Sequence, residues 1–151
     1  MYTFFSVEIK ETNDRMREEL NLLVLPFLRE RGFVGKLPFL RRQLEGKSHS
    51  VQFQFNKYGG SLAVNLQIYE DNADFLQTKK SNLQSVGFQR LGTRKKPVNI
   101  FSKNDHWFTF LTGFLVYRQS YRRAARRIKK TFESEGELIF ADLENNSQRL
   151  N

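Results

Sequence analysis

Two alternating segments around a pair of glycines constrain the fold of this chain most strongly. Residues 51–55 read VQFQF and residues 62–68 read LAVNLQI, so apolar and polar side chains alternate in both. Alternation with a period of two is typical of β-strands that have one buried face. Gly59 and Gly60 between them adopt the positive φ of a tight turn at little cost. The sequence therefore predicts an antiparallel hairpin with one apolar face and one face of Gln and Asn.

Helical patterns lie on both sides of the hairpin. Residues 13–31 carry an apolar stripe at spacings of three and four, and Pro26 within it is expected to kink or divide the helix. The strongest helical period of the chain runs from about residue 112 to residue 133. The end of the chain, from about residue 144, is polar and is expected to fray.

These patterns predict a single α+β domain over residues 1–151. It comprises an N-terminal helix, a central antiparallel β-sheet with the Gly-Gly hairpin, and a long C-terminal amphipathic basic helix packed on the sheet. A chain of 151 residues is of the usual size for one domain. The expected core residues are Phe53, Phe55, Val64, Leu66, Ile68, Phe88, Trp107 and Phe110.

The composition excludes several classes of protein. No apolar stretch reaches the ~20 residues of a transmembrane helix, and the N-terminal segment lacks the pattern of a signal peptide. The chain has no cysteine, which excludes disulfides, thiolate zinc sites and cysteine nucleophiles. We therefore expect a cytoplasmic protein without a membrane partner.

The sequence contains no recognisable catalytic constellation. His49 and His106 are the two histidines, and neither has metal ligands at a suitable spacing apart from the adjacent Asp105. Gly59-Gly60 is not followed by the Lys-Ser/Thr of a phosphate-binding loop, and no serine lies in a nucleophile elbow. We therefore predict a protein that is not an enzyme and that uses no cofactor or metal ion.

Positive charge is concentrated in two short segments. The chain has 25 basic and 16 acidic residues, a net charge of +9. One segment, residues 118–130, contains seven cations and no acid: Arg118, Arg122, Arg123, Arg126, Arg127, Lys129 and Lys130. The other contains Arg94, Lys95 and Lys96. Such a distribution favours an anionic partner.

On a helix, the cations of residues 118–130 fall on one half of the circumference and the apolar residues on the other. A helix side that is basic only for solubility is one interpretation. Binding of phosphate groups is another, because arginine forms bidentate hydrogen bonds with phosphate oxygens. An acidic protein partner remains a third. The leading prediction is a non-enzymatic binding protein whose basic helix face contacts an anionic ligand, with nucleic acid first among the ligands.

Short motifs between about residues 24 and 110 resemble a bacterial family, domain of unknown function 4304. They are LPFLRERGFVGKLPFLRR, VQFQFNKYGGSLAVNLQIY, RLG and DHWF, in that order. The resemblance implies a bacterial α+β domain with an antiparallel sheet and no established activity. It also suggests the alternative function of a protein-binding module, such as an immunity or antitoxin-type protein. The basic helix after Trp107 is not part of the family pattern.

Overall fold

The computed structural model of the protein describes residues 2–70, 85–94, 105–111 and 118–149. Its helices are α1 (Tyr2–Glu19), α2 (Leu25–Glu30), α3 (Arg118–Thr131) and α4 (Glu137–Arg149). Its strands are β1 (Val34–Lys36), β2 (Phe39–Leu44), β3 (Lys47–Phe55), β4 (Ser61–Glu70), β5 (Ser85–Arg90) and β6 (Phe108–Thr109). The described chain is thus an α+β domain with helices at both ends and an antiparallel sheet between them, as predicted.

Short π-helical turns join the helices of each pair. The first, Leu20–Val24, lies directly before α2, and Pro26 occupies the first turn of α2. Proline is tolerated there because the first N–H groups of a helix have no partner within the helix. The expected division of the N-terminal helix at Pro26 is confirmed. The second π-helical turn, Phe132–Gly136, joins α3 to α4.

The strands form an antiparallel sheet in the order β1-β2-β3-β4-β5, and β6 pairs with the start of β4. The predicted hairpin is β3–β4, in register with Val51 opposite Leu66 and Phe53 opposite Val64. Gly59 and Gly60 have φ values of 80° and 83°, which confirms the reason for two glycines in the turn.

The two faces of the sheet differ as the alternation predicts. Apolar side chains on one face are buried under the helices: Leu40, Val51, Phe53, Leu62, Val64, Leu66 and Ile68. Helix α4 packs on β4 and β5, whereas α3 packs against α1, the first π-helical turn and β6. The C-terminal helical segment therefore reaches the main sheet through α4, and α3 lies at its edge. The opposite face carries the Gln and Asn side chains.

Two expected core residues lie elsewhere. Phe88 is 49% exposed, because the register of β5 places it opposite Gln67 on the polar face of the sheet. Leu91, which follows β5, is fully buried instead. Trp107 is only partly buried, and its ring lies 4.8 Å from the guanidinium carbon of Arg90.

The polar end of the chain is helical, not frayed, as far as Arg149. Leu143 is buried there, and the neighbouring Glu144 accepts a hydrogen bond from β3 through His49. These contacts hold the last turns of α4 on the sheet. None of the helices in the described ranges has both the length and the apolar character needed to cross a membrane.

Candidate nucleic-acid interface

The orientation of α3 is fixed by its apolar face. Five residues at helical spacing are at most 2% exposed: Tyr121, Ala124, Ala125, Ile128 and Phe132. The ring of Tyr121 lies 5.7 Å from that of Phe110, and the ring of Phe132 lies 5.7 Å from that of Phe27. Because this face is buried against α1, the first π-helical turn and β6, the basic face must point outward. The division into an apolar and a basic half is confirmed for residues 120–131.

Three of the cations on α3 contact neighbouring elements. The Nε of Arg122 lies 3.5 Å from a carboxylate oxygen of Glu19. Arg127 donates a hydrogen bond of 2.6 Å to the backbone carbonyl of Thr109 in β6. The Nζ of Lys129 lies 5.6 Å from the ring centre of Phe27. These three residues mark the two borders of the basic face, where α3 meets the rest of the protein.

Between these borders lie Arg123, Arg126 and Lys130, which we call the central stripe. All three side chains are exposed. They make no hydrogen bond, ion pair or ring contact with any of the described residues. At a rise of about 1.5 Å per residue, the stripe extends about 10 Å along the helix. It thus presents to solvent one cation per turn that has no partner among the described residues.

The other predicted cations are placed differently. Arg118 begins α3, but its side chain is outside the described part of the chain, as are Lys95 and Lys96. The Nε of Arg94 lies 2.8 Å from a carboxylate oxygen of Asp142 in α4. This ion pair ties the end of β5 to α4 and offsets the charge of Arg94. The described part of segment 94–96 therefore contributes less to the basic surface than the sequence suggests.

A buried polar network that sequence analysis missed holds α4 on the sheet. Arg42 of β2 donates a hydrogen bond of 2.8 Å to each carboxylate oxygen of Glu137. It also donates to Nδ1 of His49 at 2.8 Å and to the carbonyl of Arg31 at 3.1 Å. Its guanidinium carbon lies 4.4 Å from the ring centre of Phe33. One arginine thus joins the end of α2, the sheet and α4.

His49 has no room for a substrate. Arginine can only donate, so Nδ1 of His49 accepts from Arg42, and Nε2 carries the proton that it donates to Glu144 at 2.6 Å. The imidazole stacks on Phe140 with ring centres 4.2 Å apart, and the residue is 4% exposed. Lys47 lies 2.9 Å from the second oxygen of Glu144. This His–Glu pair is structural.

The network predicts that stability falls as the pH falls. Burial lowers the pKa of His49 below 6.5, against the opposing effect of the hydrogen bond to Glu144. The unfolded state therefore binds more protons than the folded state below pH 6.5, and protonation favours unfolding. We expect the free energy of unfolding, measured by urea titration, to fall between pH 7 and pH 5. The variant His49→Gln should lose much of this decrease, since glutamine accepts and donates without titrating.

A second decrease is expected in the acid range. The hydrogen bond from Arg42 lowers the pKa of Glu137. Burial alone would raise the pKa of Glu144, but hydrogen bonds from Lys47 and His49 lower it overall. Both carboxylates stabilise the fold above pH 4.5, and this stabilisation is lost as the pH falls through their lowered pKa values.

A wild-type free energy of unfolding that stays constant from pH 7 to pH 5 would contradict the account of His49.

The amide face of the sheet contains a second cluster, centred on Arg90. Asn65, 4% exposed, donates to Gln54 at 3.0 Å and accepts a hydrogen bond of 3.2 Å from Arg90. Arg90 is also paired with Asp105, which accepts a further hydrogen bond of 3.2 Å from Trp107. The cluster fastens residues 105–107 to the sheet. Asp105 is thus engaged by both Arg90 and Trp107.

A scan against family models and searches of curated proteins and solved structures find no match to this chain. The resemblance to domain of unknown function 4304 therefore stays a prediction. Within the described ranges, no group of three or more acidic or histidine side chains is placed to hold a metal ion. The central stripe on α3 is the feature that most clearly lacks a role in the fold.

Proposed function

We propose that the protein is a non-enzymatic binding protein whose α3 binds the phosphate backbone of nucleic acid. The observation that supports this most is the central stripe, Arg123, Arg126 and Lys130, whose charges have no partner among the described residues. Arginine and lysine bind phosphate oxygens through charge-assisted hydrogen bonds and release condensed counterions from the nucleic acid.

The arrangement is unfavourable for the isolated helix, which supports a ligand. Like charges three and four residues apart destabilise a helix by about 0.2–0.5 kcal/mol per pair. Four cations of α3 form pairs that are three or four residues apart, and no acidic residue lies between them: Arg123, Arg126, Arg127 and Lys130. An anionic ligand would relieve this repulsion. A surface helix that is basic only for solubility does not need so many positive charges close together.

A membrane surface fits this helix less well. Amphipathic helices that bind membranes insert their apolar face among the lipids. The apolar face of α3 is already buried in the protein, with Ile128 1% exposed and Ala124 and Ala125 fully buried. Only the charge of the basic face is therefore left to contact a membrane. A contact made by charge alone suits a polyanion such as nucleic acid.

The proposal is tested by measuring the binding of labelled random-sequence nucleic acid by fluorescence anisotropy at low salt. The variant Arg123→Gln/Arg126→Gln/Lys130→Gln should bind at least about tenfold more weakly, since hydrogen bonds to charged groups contribute about 1.5–3 kcal/mol each. Glutamine is a good helix former, so α3 should remain folded.

The matched control changes three cations outside α3: Lys10→Gln/Arg17→Gln/Lys57→Gln. It has the same net charge as the first variant, and it should bind nearly as tightly as the wild type. Equal losses in the two variants would mean that net charge alone drives the association. No binding by the wild type would contradict the proposal and would favour an acidic protein partner.

A further inference from the structure

A second group of cations meets α3 at the end of α2. We infer that the interface continues from the central stripe across α2 to β1, and that its ligand is a double-stranded nucleic acid held by its backbone. This inference rests on the proposed function. It adds three cations, here called the α2–β1 group, to the binding surface: Arg29, Arg31 and Lys36.

The basic face of α3 meets the α2–β1 group at the ring of Phe27. The guanidinium carbon of Arg31 lies 3.6 Å from the ring centre, and the Nζ of Lys129 lies 5.6 Å from the same ring centre. Arg31 also donates a hydrogen bond of 3.3 Å to the carbonyl of Phe27. The ring is 6% exposed and packs edge-on against Phe132 of the second π-helical turn. A packed aromatic side chain therefore holds cations from both helical segments at one place.

Arg29 and Lys36 place two more positive charges at the end of α2 and on β1, an edge strand of the sheet. Arg29 is exposed, and its guanidinium lies 3.5 Å from the carbonyl oxygen of Gly35 in β1. Lys36, the next residue of β1, is exposed as well. Residues 29–36 carry three cations against one carboxylate, that of Glu30. No salt bridge with a described residue is formed by Arg29, by Arg31 or by Lys36.

Among the described residues, this surface has none of the aromatic platforms of single-strand binding proteins. Such proteins stack bases on exposed rings, with about 1–3 kcal/mol per base. Phe27 is buried, and the largely exposed rings in the described ranges are those of Tyr58 and Phe88. Tyr58 lies in the β3–β4 turn, and Phe88 lies on the sheet face away from the helices. Cations without rings suit the continuous phosphates of a duplex, which carries about one charge per 1.7 Å of its axis.

The test compares a 20-base-pair duplex with one of its strands at several salt concentrations. The variant Arg29→Gln/Lys36→Gln removes two charges and leaves Arg31 and Lys129 on Phe27. For the duplex, the slope of log K against log salt should become shallower by about 2, which is close to one unit for each phosphate that the variant no longer binds. The control Lys10→Gln/Lys57→Gln should keep the wild-type slope, and the wild type should bind the duplex at least about tenfold more tightly than the strand.

The outcomes separate this inference from the proposed function. If the wild type binds the duplex but Arg29→Gln/Lys36→Gln keeps its slope, the α2–β1 group lies outside the interface and only the extension is wrong. If the single strand binds as tightly as the duplex, the assignment of the ligand is wrong. If neither probe binds at low salt, both the extension and the proposed function are overturned.

Discussion

Replacement of Arg42 by methionine is expected to lower the free energy of unfolding by about 3 kcal/mol. Removal of one partner of a buried ion pair typically costs about 3–5 kcal/mol, because the other charge remains without compensation. The side chain of Arg42 is 14% exposed, but that of Glu137 is 50% exposed, so water recovers part of the loss. The expected value therefore lies at the lower end of the range. Urea unfolding followed by circular dichroism measures it.

Two controls separate the network from charge in general. Arg17→Met breaks an ion pair between side chains that are 42% and 52% exposed, and it should cost no more than about 1 kcal/mol. Arg42→Lys should recover only part of the loss, since an ammonium group cannot bind both oxygens of Glu137 side by side. A loss below about 1 kcal/mol for Arg42→Met would show that α4 is held mainly by its apolar contacts.

Reversal of the central stripe should have the largest effect on binding. In Arg123→Glu/Arg126→Glu/Lys130→Glu, three favourable phosphate contacts are replaced by three repulsive ones. We expect the affinity for duplex DNA to fall by more than about a hundredfold at low salt, since charge-assisted hydrogen bonds contribute about 1.5–3 kcal/mol each. Thermal unfolding should stay close to that of the wild type, because these exposed side chains make no hydrogen bond, ion pair or ring contact with the described residues.

The matched control for the reversal is Lys10→Glu/Arg17→Glu/Lys57→Glu, which changes the net charge by the same amount on other parts of the surface. Its loss of affinity should be at least about tenfold smaller, because these three side chains lie outside the central stripe. A reversed stripe that still binds as tightly as this control would place the interface away from α3.

Local periodicity explains which parts of the fold could be predicted. The alternation on either side of Gly59-Gly60 is a property of neighbouring residues, and it correctly predicts the pairing of β3 with β4. Helical spacing, which is also local, correctly predicts the apolar face and the basic face of α3. Phe88 shows the limit of this reasoning, because its burial depends on the register of β5 against β4. That register places it opposite Gln67, and no pattern within β5 reveals it.

Long-range contacts explain what the sequence could not predict. Arg42 and Glu137 are 95 positions apart, as are His49 and Glu144, so no local spacing signals the network. The division of the basic face depends in the same way on what lies beside α3. The seven cations look equivalent in the sequence. Contacts with Glu19, Thr109 and Phe27 distinguish three of them from Arg123, Arg126 and Lys130, which have no partner among the described residues.

The salt dependence of duplex binding tests the central claim most directly. Counterion release predicts that log K falls linearly with log salt, with a slope of about −0.9 for each phosphate contacted. We expect a steep line for the wild type and a slope that is shallower by about 3 in Arg123→Gln/Arg126→Gln/Lys130→Gln. A wild-type affinity that does not change with salt, or equal slopes in the two proteins, would contradict the assignment of the central stripe as the phosphate-binding surface.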